Sequence, residues 1–180
     1  MTNTPNPSCQ LIKFLPCVPN FPQPGVMFRD ISPLIADPQA FQVAINQFAE
    51  LARELSFTRI LAIESRGFIF GSALALQLQK PLLLARKPNK LPLAAHSESY
   101  GLEYGQDSLE IQANHIDQQS KVLIIDDVVA TGGTLMAASA LIRKTGAQVV
   151  GALTLLEIDS LGGNNRLREQ DIHAHSILSV

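Results

Sequence analysis

Between residues 38 and 55, apolar side chains recur every three or four positions: Phe41, Ala44, Ile45, Phe48, Leu51, Ala52 and Leu55. That period predicts an amphipathic helix from Pro38 to Leu55. Asp37 is a good N-cap, and Pro38 occupies the first helical position, where a missing amide costs nothing. Further along the chain the pattern changes. RILAIES (Arg59–Ser65), PLLLAR (Pro81–Arg86), KVLIIDD (Lys121–Asp127) and AQVVGALTLLE (Ala147–Glu157) are short, nearly unbroken apolar runs. They predict strands buried on both faces. GSALALQLQK (Gly71–Lys80) and the stretch from about Gly133 to Lys144 predict helices between them, the latter stopped by Gly146. Apolar strands alternating with helices predict an α/β fold, a doubly wound, mainly parallel sheet with helices on both faces.

Two stretches break this rhythm. Residues 1–24 carry most of the prolines (TPNPS…LPCVPNFPQPG) and predict extended or irregular chain, because proline lacks an amide donor and biases its predecessor away from helix. Residues 87–111 are rich in turn and polar residues and have little helical period. GLEYGQDSLEI predicts a hairpin with its turn near Gly105-Gln106-Asp107. A long excursion of this kind is commonly functional, and it falls between strands whose carboxyl ends should meet. A lid over a site is the expectation.

Composition narrows the class. A chain of 180 residues suits one domain, and 46% apolar residues can fill its core. The net charge of −2 provides no field to attract nucleic acid or anionic membrane. No apolar run approaches the length of a membrane span, and MTNTPNPSCQ lacks the layout of a signal peptide. The expectation is a soluble, cytoplasmic protein with no nucleic-acid or membrane partner. Cys9 and Cys17 have no His at zinc-ligand spacing. Two free thiols in a reducing compartment are expected, with zinc or a disulfide as the other readings. His173 and His175 alternate, as solvent-facing residues of an edge strand or as a metal pair.

The chemistry concentrates in DDVVATGGT. Asp126 and Asp127 stand at the carboxyl end of a predicted strand, where doubly wound sheets bind ligands. Thr131-Gly132-Gly133-Thr134 then leads into a helix N-terminus, whose free amides and dipole favour an anion. Glycines let the backbone approach phosphate oxygens, and the threonines offer hydroxyls. Neither a P-loop nor a dinucleotide fingerprint is present. Carboxylates repel phosphate, so the acids must face another part of the ligand. They accept hydrogen bonds from hydroxyls, and a ribose with a 5′-phosphate satisfies both halves of the loop.

Lys121–Thr134 resembles the phosphoribosyl pyrophosphate signature of type I phosphoribosyltransferases. FPQPGVMFRDISPL (Phe21–Leu34), ESRGFIFG (Glu64–Gly71), RKPNKLP (Arg86–Pro92) and LEYGQDSLEI (Leu102–Ile111) resemble the adenine phosphoribosyltransferase family in order and spacing. The resemblance runs from about Phe21 to Gly163. It implies one phosphoribosyltransferase domain over 1–180, with an N-terminal extended segment and base-binding hood (1–36) and a flexible catalytic hairpin (87–111). It implies purine salvage: adenine and phosphoribosyl pyrophosphate give AMP and pyrophosphate, with Mg²⁺ held mainly through the bound donor, in a homodimer.

The resemblance also implies roles. Asp126 and Asp127 hold the ribose hydroxyl side, and Ala130, Thr131, Gly132, Gly133 and Thr134 hold the 5-phosphate. Arg66 matches the arginine of the pyrophosphate loop. Arg86 and Lys90 match basic residues that approach the pyrophosphate. Met27 and Arg29 lie on the hood, whose main chain reads the adenine edge, and Ile158 packs on the base. Glu103 and Tyr104 match the pair on the catalytic loop, with the glutamate as acid or base at the purine.

Without the family pattern, Arg66 reads as a surface ion pair, RKPNK as a solvated basic turn, Glu103 as an exposed loop acid and Ile158 as core. Asp126-Asp127 could also be a helix-capping turn. Two departures stand out. Extra prolines in LIKFLPCVPNFPQPG shorten or remove the helix that usually precedes the hood, and Asn89 replaces a common glycine. Two further functions stay open. One is a 6-oxopurine transferase, against which stands the absence of any lysine after Lys144. The other is a non-catalytic phosphoribosyl pyrophosphate sensor, against which stands the absence of an appended nucleic-acid-binding domain.

Overall fold

A computed structural model describes residues 10–92, 95–102 and 105–180. The chain divides into two compact units, Met1–Gln47 and Phe48–Val180.

In the first unit, helical backbone at Gln10 and Leu11 runs into a 3₁₀ turn at Ile12–Phe14, in the segment where a short or absent helix was expected. Its neighbours Leu11 and Leu15 are buried. A short antiparallel ladder follows, β1 (Cys17–Pro19) against β2 (Met27–Arg29), with Val18 opposite Phe28. Strand β1 fits the expected extended or irregular chain, but its pairing with β2 was not read, because three-residue strands carry almost no periodic signal. The Asn20 side chain accepts the Gly25 amide at 2.9 Å, and Phe21 packs edge-on against Phe28 with centroids 5.0 Å apart. Helix α1 (Ser32–Ala36) is followed by α2 (Pro38–Ala52), which carries the chain into the second unit. Asp37 caps α2 as expected, accepting the amides of Gln39 and Ala40 at 2.9 and 2.8 Å. The helix ends at Ala52 rather than Leu55. Its last turn tightens, with Arg53 and Leu55 donating to carbonyls three residues back.

The second unit is built on five parallel strands. They are β3 (Arg59–Ile63), β4 (Leu82–Ala85), β7 (Lys121–Val129), β8 (Gln148–Glu157) and β9 (Ala174–Ser179), in spatial order β4-β3-β7-β8-β9. Period-2 alternation sends Leu61, Ile63, Val122 and Ile124 to one face, where α4 (Gly133–Lys144) packs among them. The opposite face carries α3 (Gly67–Leu78). Helices therefore cover both faces, as the sequence predicts. Helix α3 begins four residues before the expected Gly71. Two glycines one turn apart argue against helix by propensity, but both are needed for contact. A Cβ at Gly67 would lie 2.8 Å from the Ile125 carbonyl, and one at Gly71 only 2.5 Å from the Ala62 Cβ. Phe70 from this helix meets Phe48, ring centroids 5.6 Å apart.

The excursion forms a hairpin of β5 (Ala95–Leu102) and β6 (Gly105–Gln112). Leu102 pairs with Gly105, so the turn precedes Gly105 instead of lying at Gly105–Asp107. Buried Leu109 and Ile111 set this register, since a one-residue slip would turn both to solvent. Lys144 of α4 holds the hairpin, donating to the Ser97 carbonyl at 2.9 Å and forming an ion pair with Glu98. His173 and His175 are exposed beside and on the edge strand β9. Cys17 is an exposed free thiol, and Cys9 lies outside the described residues. Among the described residues, no helix is long and apolar enough to cross a membrane.

Candidate active site

The strand order places the topological switch between β3 and β7. Connections leave these two neighbours in opposite directions, which opens a crevice at their carboxyl ends. A cleft of about 390 Å³ lies there. One wall is Glu64-Ser65-Arg66, which follows β3 and whose Glu64–Ser65 peptide is cis. The other is the continuous run from Asp126 to Leu135. Asp126, Asp127, Ala130, Thr131, Gly132, Gly133 and Thr134, seven of the sequence-predicted residues, line it together with Arg66.

Strand β7 continues to Val129, past the expected end at Asp127, because Val128 and Val129 pair with Leu156 and Glu157 of β8. The acids therefore belong to a rigid strand. Both are buried. Burial pushes the Asp126 carboxyl well up, and the neighbouring Asp127 charge adds to it. Burial raises Asp127 too, opposed chiefly by Arg66, whose Nε lies 3.0 Å from the Asp127 carboxylate. Asp126 also accepts the Asp127 amide at 2.9 Å. A helix-capping role for the pair does not describe this geometry, because helix α4 starts six residues after Asp127.

The cradle itself turns on Gly132, whose φ of +84° is left-handed and strains any side chain. It directs the chain into α4, whose first residues Gly133, Thr134 and Leu135 line the cleft; first-turn amides have no partner within a helix and suit an anion. A short helix, α5 (Gly163–Arg168), supports the loop from behind. Arg166 Nη1 donates to the Thr131 carbonyl at 3.3 Å. A Cβ on Gly163 would fall 2.2 Å from the Ala130 carbonyl oxygen.

The remaining predicted residues are placed differently. Arg86 and Lys90 are not on the cleft wall; Arg86 lies just behind it, its Nη2 3.4 Å from Glu64 and its Nη1 donating to the Lys90 carbonyl at 2.9 Å. Ile158 is half-buried past the end of β8, its amide donating to Val129 at 3.0 Å. Met27 and Arg29 belong to the first unit, where Met27 is exposed and Arg29 donates to the Leu15 carbonyl at 3.1 Å. Glu103 and Tyr104 lie outside the described residues. Sequence reasoning passed over Glu64 and Lys87, both on the wall. Each sits inside a segment already singled out, ESRGF and RKPNK, but nothing local separates it from its neighbours.

Among the described residues, no group of three or more His, Cys, Asp or Glu side chains could hold a metal. One buried acid pair facing a phosphate cradle does fit Mg²⁺, which retains water and is bound through one or two carboxylates plus substrate phosphates.

The switch-point cleft thus sets hydrogen-bond acceptors, the buried acid pair, beside a glycine turn at a helix start, the chemistry that suits hydroxyls and an anion. The family model of the phosphoribosyl transferase domain matches residues 34–179. An adenine phosphoribosyltransferase of Polynucleobacter asymbioticus is 59% identical over 93% of this chain and 98% of its own length. The crystal structure of adenine phosphoribosyltransferase from Rhodothermus marinus superposes with a TM-score of 0.90 at 39% identity, covering 97% of this chain and 98% of that one. The Saccharomyces cerevisiae enzyme, complexed with an imino-altritol bisphosphate and adenine, gives 0.89 at 36% identity, covering 96% and 98%. The chain belongs to the adenine phosphoribosyltransferase family.

Proposed function

We propose that this protein is a pentosyltransferase of purine salvage, moving ribose 5-phosphate from phosphoribosyl pyrophosphate to adenine. The C1–O bond to pyrophosphate breaks, a bond from C1 to adenine N9 forms, and the N9 proton leaves; AMP and pyrophosphate are the products. The observation that carries this reading is the joining of a phosphate cradle, a buried acid pair and Arg66 in one switch-point cleft. The adenine assignment rests on the relatives, one of them a structure holding adenine.

The roles at the cleft rest on its lining, and those of Met27, Arg29, Ile158, Glu103 and Tyr104 on the family resemblance. Thr131–Thr134 amides and hydroxyls take the 5-phosphate and fix the sugar. Asp126 and Asp127 accept hydrogen bonds from its hydroxyls. C1 is then held toward the β3 wall, where Arg66 and Lys87 offer charge to the departing pyrophosphate. Arg86 and Lys90 shape and extend that basic edge. A magnesium ion bound with the donor would neutralise further leaving-group charge, with Asp126 and Asp127 on its protein side. Met27 and Arg29 read the base through their main chain, Ile158 packs on it, and Glu103 with Tyr104 handles the purine proton. A homodimer is proposed from the family. A cytoplasmic location is proposed because so highly charged a donor does not cross a bilayer.

Incubation with phosphoribosyl pyrophosphate, Mg²⁺ and each purine in turn tests the reading. AMP from adenine alone supports it. IMP or GMP formation would assign a 6-oxopurine transferase, and donor binding without turnover on any base a sensor.

A further inference from the structure

Glu64 puts a carboxylate on the cleft wall opposite Asp126 and Asp127, beside Arg66 and Lys87. Its two oxygens are both engaged. Oε2 accepts the Lys87 amide at 2.8 Å, and Oε1 faces Arg86 Nη2 at 3.4 Å. From Arg86 the chain of contacts continues, since Nη1 donates to the Lys90 carbonyl at 2.9 Å and closes the Arg86–Lys90 turn. The Arg86 Nε is buried, with no hydrogen-bond partner among the described residues. On the far side, Arg86 exchanges two backbone hydrogen bonds with Glu110 at 2.9 and 2.7 Å, and Glu110 accepts the Asn89 amide at 3.2 Å. Asn89 takes a left-handed φ of +62°, which asparagine tolerates. Burial pushes the Glu64 carboxyl up, but the Lys87 amide, Arg86 and the Lys90 charge outweigh it and hold it below its ordinary value. It is ionised at neutral pH.

We infer that Glu64 is a positioning residue for the donor: through Arg86 and the Lys87 amide it fixes the basic turn so that Lys87 and Lys90 meet the pyrophosphate. This rests on the reading that the cleft takes phosphoribosyl pyrophosphate. Glu64 itself does not touch the substrate. Its charge balances Arg86, and its two acceptors set the conformation of a turn that would otherwise be ordered only at the expense of donor binding.

The test is a mutant cycle on the full chain, read as KM for the donor, KM for adenine, kcat and melting temperature. Glu64→Gln keeps shape and one acceptor but removes the charge. It should raise donor KM about tenfold, the worth of one charge-assisted hydrogen bond, with kcat and adenine KM within about twofold. Arg86→Lys keeps the charge but loses the two-armed geometry and should raise donor KM as well. In the Arg86→Lys background, Glu64→Gln should add less than about twofold, because the two act as one strut. A fall in kcat at unchanged donor KM, or two fully additive effects, would overturn the inference. If the wild-type chain forms no AMP, the parent reading fails. If it forms AMP and Glu64→Gln matches it, only the strut fails.

Discussion

Gly163→Ala is a one-carbon change outside the cleft that should cripple it. The new Cβ would stand 2.2 Å from the Ala130 carbonyl oxygen and 3.0 Å from both the Ala130 carbonyl carbon and the Gly132 nitrogen. A relaxed carbon–oxygen contact is about 3.3 Å, so about 1 Å of movement is forced. No flexible side chain can absorb it, since the opposing atoms are backbone. The contact is reciprocal: a Cβ on Gly132 would come 3.0 Å from the Gly163 carbonyl. The phosphate loop must therefore shift. A displacement near 1 Å at a reacting site costs roughly 10²-fold in rate. Overpacking should also remove about 1–3 kcal/mol of stability, or roughly 2–4 °C in melting temperature per kcal/mol for a chain of this size. Donor affinity by calorimetry, initial rates of AMP formation and thermal melting read all three effects. Gly162→Asn is the control. Gly162 has nothing within 4 Å of its would-be Cβ, and its φ of +65° suits asparagine. Wild-type donor affinity in Gly163→Ala would refute the reasoning. Equal damage from Gly162→Asn would point instead to general disturbance of the helix start.

Three further outcomes are expected. Asp127→Asn should weaken donor binding about tenfold, by loss of a charged acceptor and of the Arg66 pairing; unchanged affinity and turnover would remove Asp127 from the site. Asp126 has a raised carboxyl pKa in the folded state, owing to burial and then to Asp127. Its stabilising contribution is full below the ordinary carboxylate value of about 4 and is lost as pH rises through the raised value. Asp126→Asn should therefore melt above wild type at neutral pH, the gap closing as pH falls toward about 4; a constant gap in melting curves would count against this. Glu103→Ala should lower kcat more than adenine affinity, and an unaffected rate would make it an ordinary loop acid.

How legible each part was depended on how local its cause is. The strands were readable because both faces of a parallel sheet are buried, and burial writes itself as unbroken apolar runs such as Leu123–Ile125. The start of α3 was not. Gly67 and Gly71 lower helix propensity, and only the approach of Ile125 and Ala62, brought from other strands, explains them. The hairpin was readable as a hairpin but not in register, since Leu109 and Ile111 are oriented by the sheet and helix they pack on. That Asp126–Thr134 would line one site was readable because these nine residues are consecutive and leave one strand end for one helix start.

By itself, the sequence determined the α/β alternation, the acid pair and glycine turn of the loop after β7 and, through segments spread along the chain, the family. These are properties of contiguous residues, where period, glycine placement and chemistry are set by near neighbours. Tertiary structure alone decided which residues share the cleft. It placed Arg66 3.0 Å from Asp127, 61 positions away along the chain (127 − 66). It brought Gly163 against Ala130, and it put Glu64 in the cleft of the acid pair, bonded to the Lys87 amide. Those meetings are created by the crossing order of parallel strands, which no short stretch of sequence can encode.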